Sequence, residues 1–148
     1  MAVPVIELIS QNIETVLNTI SAVTVIRTTR VDFDDVTPAD SHVLLTLDNI
    51  DHLNGGEGAS NVNSYNATFN LAGFIFDVAG GSDPIDQRIG ILTSDIIKQL
   101  NLDTTRGGYA IRTFVSSVEY IHDQQLNGGL MTVVVYYRTA YGDPYTAA

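Results

Sequence analysis

The stretch Ser64-Tyr65-Asn66-Ala67-Thr68-Phe69-Asn70-Leu71-Ala72-Gly73-Phe74-Ile75-Phe76-Asp77-Val78 decides the fold. Side chains along a strand point alternately to opposite faces, so Tyr65, Ala67, Phe69 and Leu71 share one face while Asn66, Thr68 and Asn70 share the other. The alternation predicts a strand over 64–78, the longest in the chain. Past Gly73 both faces turn apolar through Phe74, Ile75 and Phe76, so this end of the strand is expected to be covered on both sides. Gly80-Gly81 ends it.

Upstream, His42 to Ile50 also reads as a strand, with Val43, Leu45 and Leu47 on one side. The run Asn54-Gly55-Gly56-Glu57-Gly58-Ala59-Ser60-Asn61 between the two has no apolar residue large enough to anchor it and too much glycine to pack, which predicts a flexible loop over about 53–63. Before it, Val23 to Phe33 is rich in Val, Ile and Thr and reads as a further strand, broken by the Asp34 to Ser41 cluster with Pro38 inside it. At the start, Ile6, Ile9, Ile13, Val16, Leu17 and Ile20 recur at steps of three and four opposite Glu7, Gln11, Glu14 and Asn18. That is an amphipathic helix from Pro4, ending near Ser21.

Downstream, Ile85, Ile89, Leu92, Ile96 and Leu100 keep the same period and predict a second helix over Asp83 to Leu100, with Ser82 or Asp83 as cap and Pro84 in its first turn. Ala110 to His122 and Leu130 to Thr139 are strand patterns separated by a turn around Asn127-Gly128-Gly129, followed by a short tail over 141–148. The predicted order is α-β-β-β-α-β-β. Strands joined by loops rather than helices favour antiparallel pairing, so the expectation is an α+β fold, a mainly antiparallel sheet with both helices packed on one face. No repeat or composition break divides residues 1–148, which read as one domain.

With 148 residues, one core can bury roughly 70% of the surface an unfolded chain exposes. Seven Lys plus Arg against 17 Asp plus Glu leave a formal charge of −10, which argues against binding a phosphate backbone. The chain has no cysteine, so disulfides, thiol nucleophiles and thiolate metal sites are excluded. No apolar run approaches the roughly 18 residues of a membrane span and no signal peptide is evident, so a soluble protein with no membrane partner is expected.

Few residues suggest chemistry. Asp32, Asp34, Asp35 and Asp40 form the densest carboxylate group, but they lack the alternating acids, central glycine and terminal glutamate of a calcium loop and read as a solvated segment. Gly80-Gly81-Ser82 precedes a helix without the lysine of a phosphate loop, and Asp83 puts a carboxylate where a phosphate would sit. His42, His52 and His122 keep no ligand spacing. No catalytic residue, cofactor or metal is expected. The final strand is different: Leu130 to Tyr137 is apolar on both faces, and Tyr136, Tyr137, Arg138, Tyr141 and Tyr145 are residue types that binding hot spots prefer. Simple alternation would place Val133, Val135 and Tyr137 in the core and Val134, Tyr136 and Arg138 outside; a subunit interface would cover both faces.

The ending Tyr137-Arg138-Thr139-Ala140-Tyr141-Gly142-Asp143-Pro144-Tyr145 resembles the last strand and tail of the tail terminator (tail completion) proteins of long-tailed bacteriophages. Tyr137, Arg138, Thr139, Gly142, Asp143 and Pro144 carry the match. The resemblance implies a ring-forming virion protein, usually a hexamer, made in the host cytoplasm. Such a ring caps the tail tube protein, offers the surface to which neck and connector proteins of the head join, and lets DNA pass without specific binding. It also implies that Tyr136 to Thr139 and Tyr141 to Tyr145 form a subunit or tail interface. Asp48, Asp51, Asn54, Gly55, Gly56, Glu57 and Gly58 are expected to face the channel or a partner, since carboxylates repel a passing genome where bases would grip it. The alternatives are a head-side stopper or adaptor of the neck, and a small ligand-binding α+β domain.

Overall fold

A computed structural model describes residues 1–21, 23–27, 41–53, 62–75, 84–122 and 127–148. The Pro4 carbonyl accepts the amides of Glu7 and Leu8 and starts helix α1 (Val5–Leu17), which buries Val5, Ile9, Ser10, Ile13 and Leu17. The helix stops before the Ser21 that apolar spacing predicts. Asn18 caps it, and the Asn18 Oδ1 accepts the Val25 amide at 3.1 Å, so this side chain fastens the next strand to the helix end. Ile20 packs on the core from outside the helix, where its period alone could not show that the helix had ended.

Among the described residues six strands follow around a second helix, in the chain order β1 (Val23–Arg27), β2 (Ser41–His52), β3 (Val62–Ile75), α2 (Ile85–Leu102), β4 (Arg112–His122), β5 (Asn127–Ala140) and β6 (Asp143–Ala147). The order matches the predicted one, with a sixth strand in what reads as a plain tail. In space the sheet runs β1-β2-β3-β5-β4, and β6 pairs with β5. The α+β class is therefore observed.

Three details depart from the sequence reading. β1 and β2 pair in parallel, Val23 beside Ser41 and Arg27 beside Leu45, where consecutive loop-joined strands suggest antiparallel pairing. Parallel neighbours need a connection of about a dozen residues or more, and residues 28–40 separate these two. Second, Asn127, Gly128 and Gly129 are not a turn but the first residues of β5. Glycine is needed there for close packing: a Cβ on Gly129 would lie 2.6 Å from the Thr93 methyl, and one on Gly73, its partner on β3, 3.0 Å from Leu92. Helix α2 thus rests on two strands where neither has a side chain. The third departure is β6.

The predicted alternation of the central strand is observed: Ala67, Phe69, Leu71 and Ile75 are buried, and Asn66, Thr68 and Asn70 are half-buried on the other face. Those buried residues join Ile9, Ile13 and Leu17 of α1, Ile89, Ile96 and Leu100 of α2, and Met131, Val133 and Val135 of β5 in one cluster. Burying each of the larger side chains, Ala67 apart, contributes roughly 1.5–3 kcal/mol. A two-pronged ion pair, Arg27 Nη1 and Nη2 to the Glu7 carboxylate at 2.7 and 2.9 Å, ties β1 to α1. The Arg27 hydrogen bond holds the Glu7 carboxyl below its ordinary pKa and raises that of Arg27.

The C-terminal end of α2 has an unusual seal. Arg106 is fully buried, takes a left-handed φ of 51°, and donates from Nη2 to the carbonyls of Leu100 and Asp103. A cation on the last carbonyls of a helix satisfies groups that have no intrahelical partner and opposes the negative end of the helix dipole. Burial lowers the Arg106 pKa, with the Asp103 carboxylate opposing that shift. Asp103 in turn accepts from the Thr105 hydroxyl and amide and the Gly107 amide, which lower its own pKa. No helix among the described residues is long and apolar enough to cross a membrane.

Candidate functional site

Strand β5 separates its side chains cleanly. Met131, Val133, Val135, Tyr137 and Thr139 are buried, whereas Val134 and Tyr136 are half-buried and Arg138 is exposed on the opposite face. Simple alternation, the plainer of the two sequence readings, thus describes the strand itself. The strand is central because β3 pairs along its whole length and β4 along most of it.

Pairing builds a patch on the outward face that the sequence alone does not assemble. Arg112 of β4 lies directly opposite Tyr136, and Phe114 opposite Val134. Arg138 lies two residues beyond Tyr136 on the same face. The Arg138 Nε donates to Tyr136 Oη at 3.0 Å with its guanidinium 5.5 Å from the tyrosine ring, and Arg112 sits 5.1 Å from the Phe114 ring. Tyr136 Oη also donates to Ser64 Oγ at 3.4 Å. These contacts, Ser64 first and Arg138 second, hold the Tyr136 phenol below its usual pKa. Arg–aromatic stacking keeps a guanidinium ordered while leaving its donors free for an anion. Two arginines flanking one tyrosine make a local positive spot in a chain of charge −10.

In the adjacent row, on the opposite face from Tyr136, His52 of β2, Tyr65 of β3 and Tyr137 of β5 stack in a ladder, with ring centroids 4.7 and 5.0 Å apart. His52 is exposed, Tyr65 half-buried and Tyr137 buried. Burial, with the neighbouring Tyr65 adding to it, pushes the Tyr137 phenol up to about 12. Tyr137 is therefore a core residue in the single chain.

The rest of that motif shapes a turn. Gly142 takes a φ of +72°, a conformation that residues with a Cβ rarely adopt. Asp143 Oδ1 accepts the Tyr145 amide at 3.0 Å and Oδ2 the Thr146 hydroxyl at 2.7 Å, the Thr146 contact first in lowering its pKa. The chain then doubles back: Ala140 pairs with Asp143, Thr139 with Ala147, and the Ala148 amide donates to the Arg138 carbonyl. β6 thereby fills the side of β5 that β4 leaves free beyond Tyr136. Tyr141 is 70% exposed and Tyr145 49%. Thr139 is buried and Pro144 exposed.

Asp48 and Asp51 are exposed on the last part of β2, with Asp48 at a register shift between Leu47 and Asn49. The pairing places Asp51, Asn66, Tyr136 and Arg112 in one row across the sheet. Asn54, Gly55, Gly56, Glu57, Gly58, the Asp32 to Asp40 group and Gly80 to Asp83 lie outside the described residues. His42, His52 and His122 sit on β2 and β4; His122 Nε2 is 3.3 Å from Asp86 Oδ1. Among the described residues no three acids, histidines or cysteines gather as a metal site. Arg112 and Phe114 are the surface residues that sequence reasoning missed, because only the β4–β5 register reveals that they join Tyr136 and Arg138. An open groove of about 460 Å³ between α2 and β4, lined by Ile97, Asn101, Phe114 and Val118 among others, adjoins the patch. Compared with known proteins, the chain matches no family model, and no curated protein is significantly similar to it.

Proposed function

We propose that this chain is a ring-forming structural protein of a phage tail, a tail terminator, whose copies assemble as a hexamer on the end of the tail tube and present the surface for head joining. The observation that carries the reading is the aromatic and arginine surface of the final strand and turn: exposed Arg138, Tyr141 and Tyr145 around a half-buried Tyr136, joined by exposed Arg112 and Phe114. These residues combine apolar area with directional polar groups, the composition that protein interfaces favour. The two helices cover one face of the sheet in this reading, supported by the single cluster in which both bury their apolar stripes. The opposite face and the turn are left for partners. A net charge of −10 suits a ring around a DNA channel, because carboxylates near the lumen repel the duplex and let it slide.

The test is attachment. Tail tubes incubated with the purified protein and viewed by electron microscopy should carry a cap at one end. A variant ending at Ala140, which lacks β6 and both exposed tyrosines of the turn, should leave the tubes bare. Tubes that never acquire a cap would exclude the terminator role.

A further inference from the structure

Resting on the ring reading, we infer that neighbouring copies join edge to edge, the end of β2 from one copy pairing with the start of β4 from the next, with Asp51 meeting Arg112 across the contact. β1 covers β2 only from Ser41 to Leu45, so among the described residues Leu47 to His52 has a strand on one side alone. β4 forms the opposite border of the sheet. Exposed polar backbone along a strand is a template for pairing with another chain. Both borders also carry exposed apolar side chains: Leu47, Ile50 and Leu53 on one, Ile111 and Phe114 on the other.

Charge selects the match. The β2 border ends in Asp48 and Asp51, whereas the β4 border begins with Arg112, for which no carboxylate partner is found among the described residues. Because Asp51, Asn66, Tyr136 and Arg112 share one row and one face, extending that row into a second copy sets Arg112 directly opposite the neighbour's Asp51. Opposite charges facing each other across a strand pair are favourable and like charges unfavourable. β2 and β4 run in opposite directions, three antiparallel steps apart, so the joint is antiparallel and the sheet passes unbroken from copy to copy. The β4 register shift between Val115 and Ser117 interrupts the regular ladder, so the pairing is confined to the first residues of the strand. Because the two borders differ, the contact is head-to-tail, the kind that closes into a ring or runs on as a filament.

Light scattering after size exclusion tests the pairing in the 148-residue chain. Arg112→Glu and Asp51→Arg should each weaken assembly about tenfold or more, since each sets like charges face to face. Mixed in equal amounts, the two variants should assemble again in alternation, because every joint between unlike copies then sets a carboxylate against a guanidinium. The natural chain has no cysteine, so D51C combined with R112C reports proximity without background; under oxidation it should give a ladder of linked copies on a denaturing gel. Assembled wild-type rings that tolerate both reversals, or a double-cysteine variant that gives no ladder, would overturn the edge pairing and leave the ring reading standing. A wild-type chain that stays monomeric at all concentrations would overturn both.

Discussion

At Gly129 a missing side chain is what the fold requires. Gly129→Val would drive methyl groups into Thr93 and Ile89, and overpacking of this kind destabilises by about 1–3 kcal/mol, read as a lower denaturant midpoint with an unchanged slope. Arg106 makes the opposite demand. Arg106→Ala would strip the Leu100 and Asp103 carbonyls of a buried charged donor and open a cavity, costing about 2–4 kcal/mol in the same measurement. Tyr137 sets a pH limit. Its neutral form is favoured in the folded state, so the folded protein holds this proton more tightly than the unfolded chain, and stability falls as pH rises from about 10 to about 12. Tyr137→Phe should flatten the fall in melting temperature over that window. The Glu7 carboxyl has the reverse sign. Its pKa is depressed by Arg27, so its small contribution is present above the usual carboxylate range and fades as pH drops through the folded value. None of these roles is legible in one dimension: the burial of Arg106 and the contact at Gly129 depend on which elements meet, and an arginine or a glycine reads as surface or turn until they do.

At the scale of elements, the two helices and the long strand were legible because their apolar residues keep strict periods of 3.6 and 2. Ile89, Ile96 and Leu100 could only be one helix face, and Phe69 and Leu71 only one strand face. β6 was not legible, because Asp143 to Ala147 holds no apolar alternation, and its strand form follows from the Gly142 turn and the Asp143 side chain that fixes it. The parallel pairing of β1 was hidden for a similar reason: direction is set by where the 28–40 connection leads, not by the strand's own residues. Four residues of the candidate surface were visible as Tyr136, Arg138, Tyr141 and Tyr145, and two were not, since Arg112 and Phe114 come from a strand more than twenty residues earlier. Ending the chain at Ala140 tests the element. β6 pairs with β5 at few positions, so circular dichroism should show the fold retained, with melting lowered by a few degrees, while capping of tail tubes is lost. Undiminished capping would take the turn out of the interface.

Over the described residues the molecule is an acidic α+β fold with one continuous core, a sheet with two unlike borders, and a surface of aromatic and arginine residues on β5, β4 and the turn before β6. Those features make sense together if copies repeat around an axis: unlike borders give a head-to-tail joint, surplus carboxylates keep DNA from adhering, and the final turn reaches a partner. Whether copies close into a ring is decided by electron microscopy of the purified protein by itself. Closed rings of six copies with a central hole wide enough for duplex DNA are expected. Discrete monomers or compact two-fold dimers without a hole, at concentrations where rings should form, would contradict the ring.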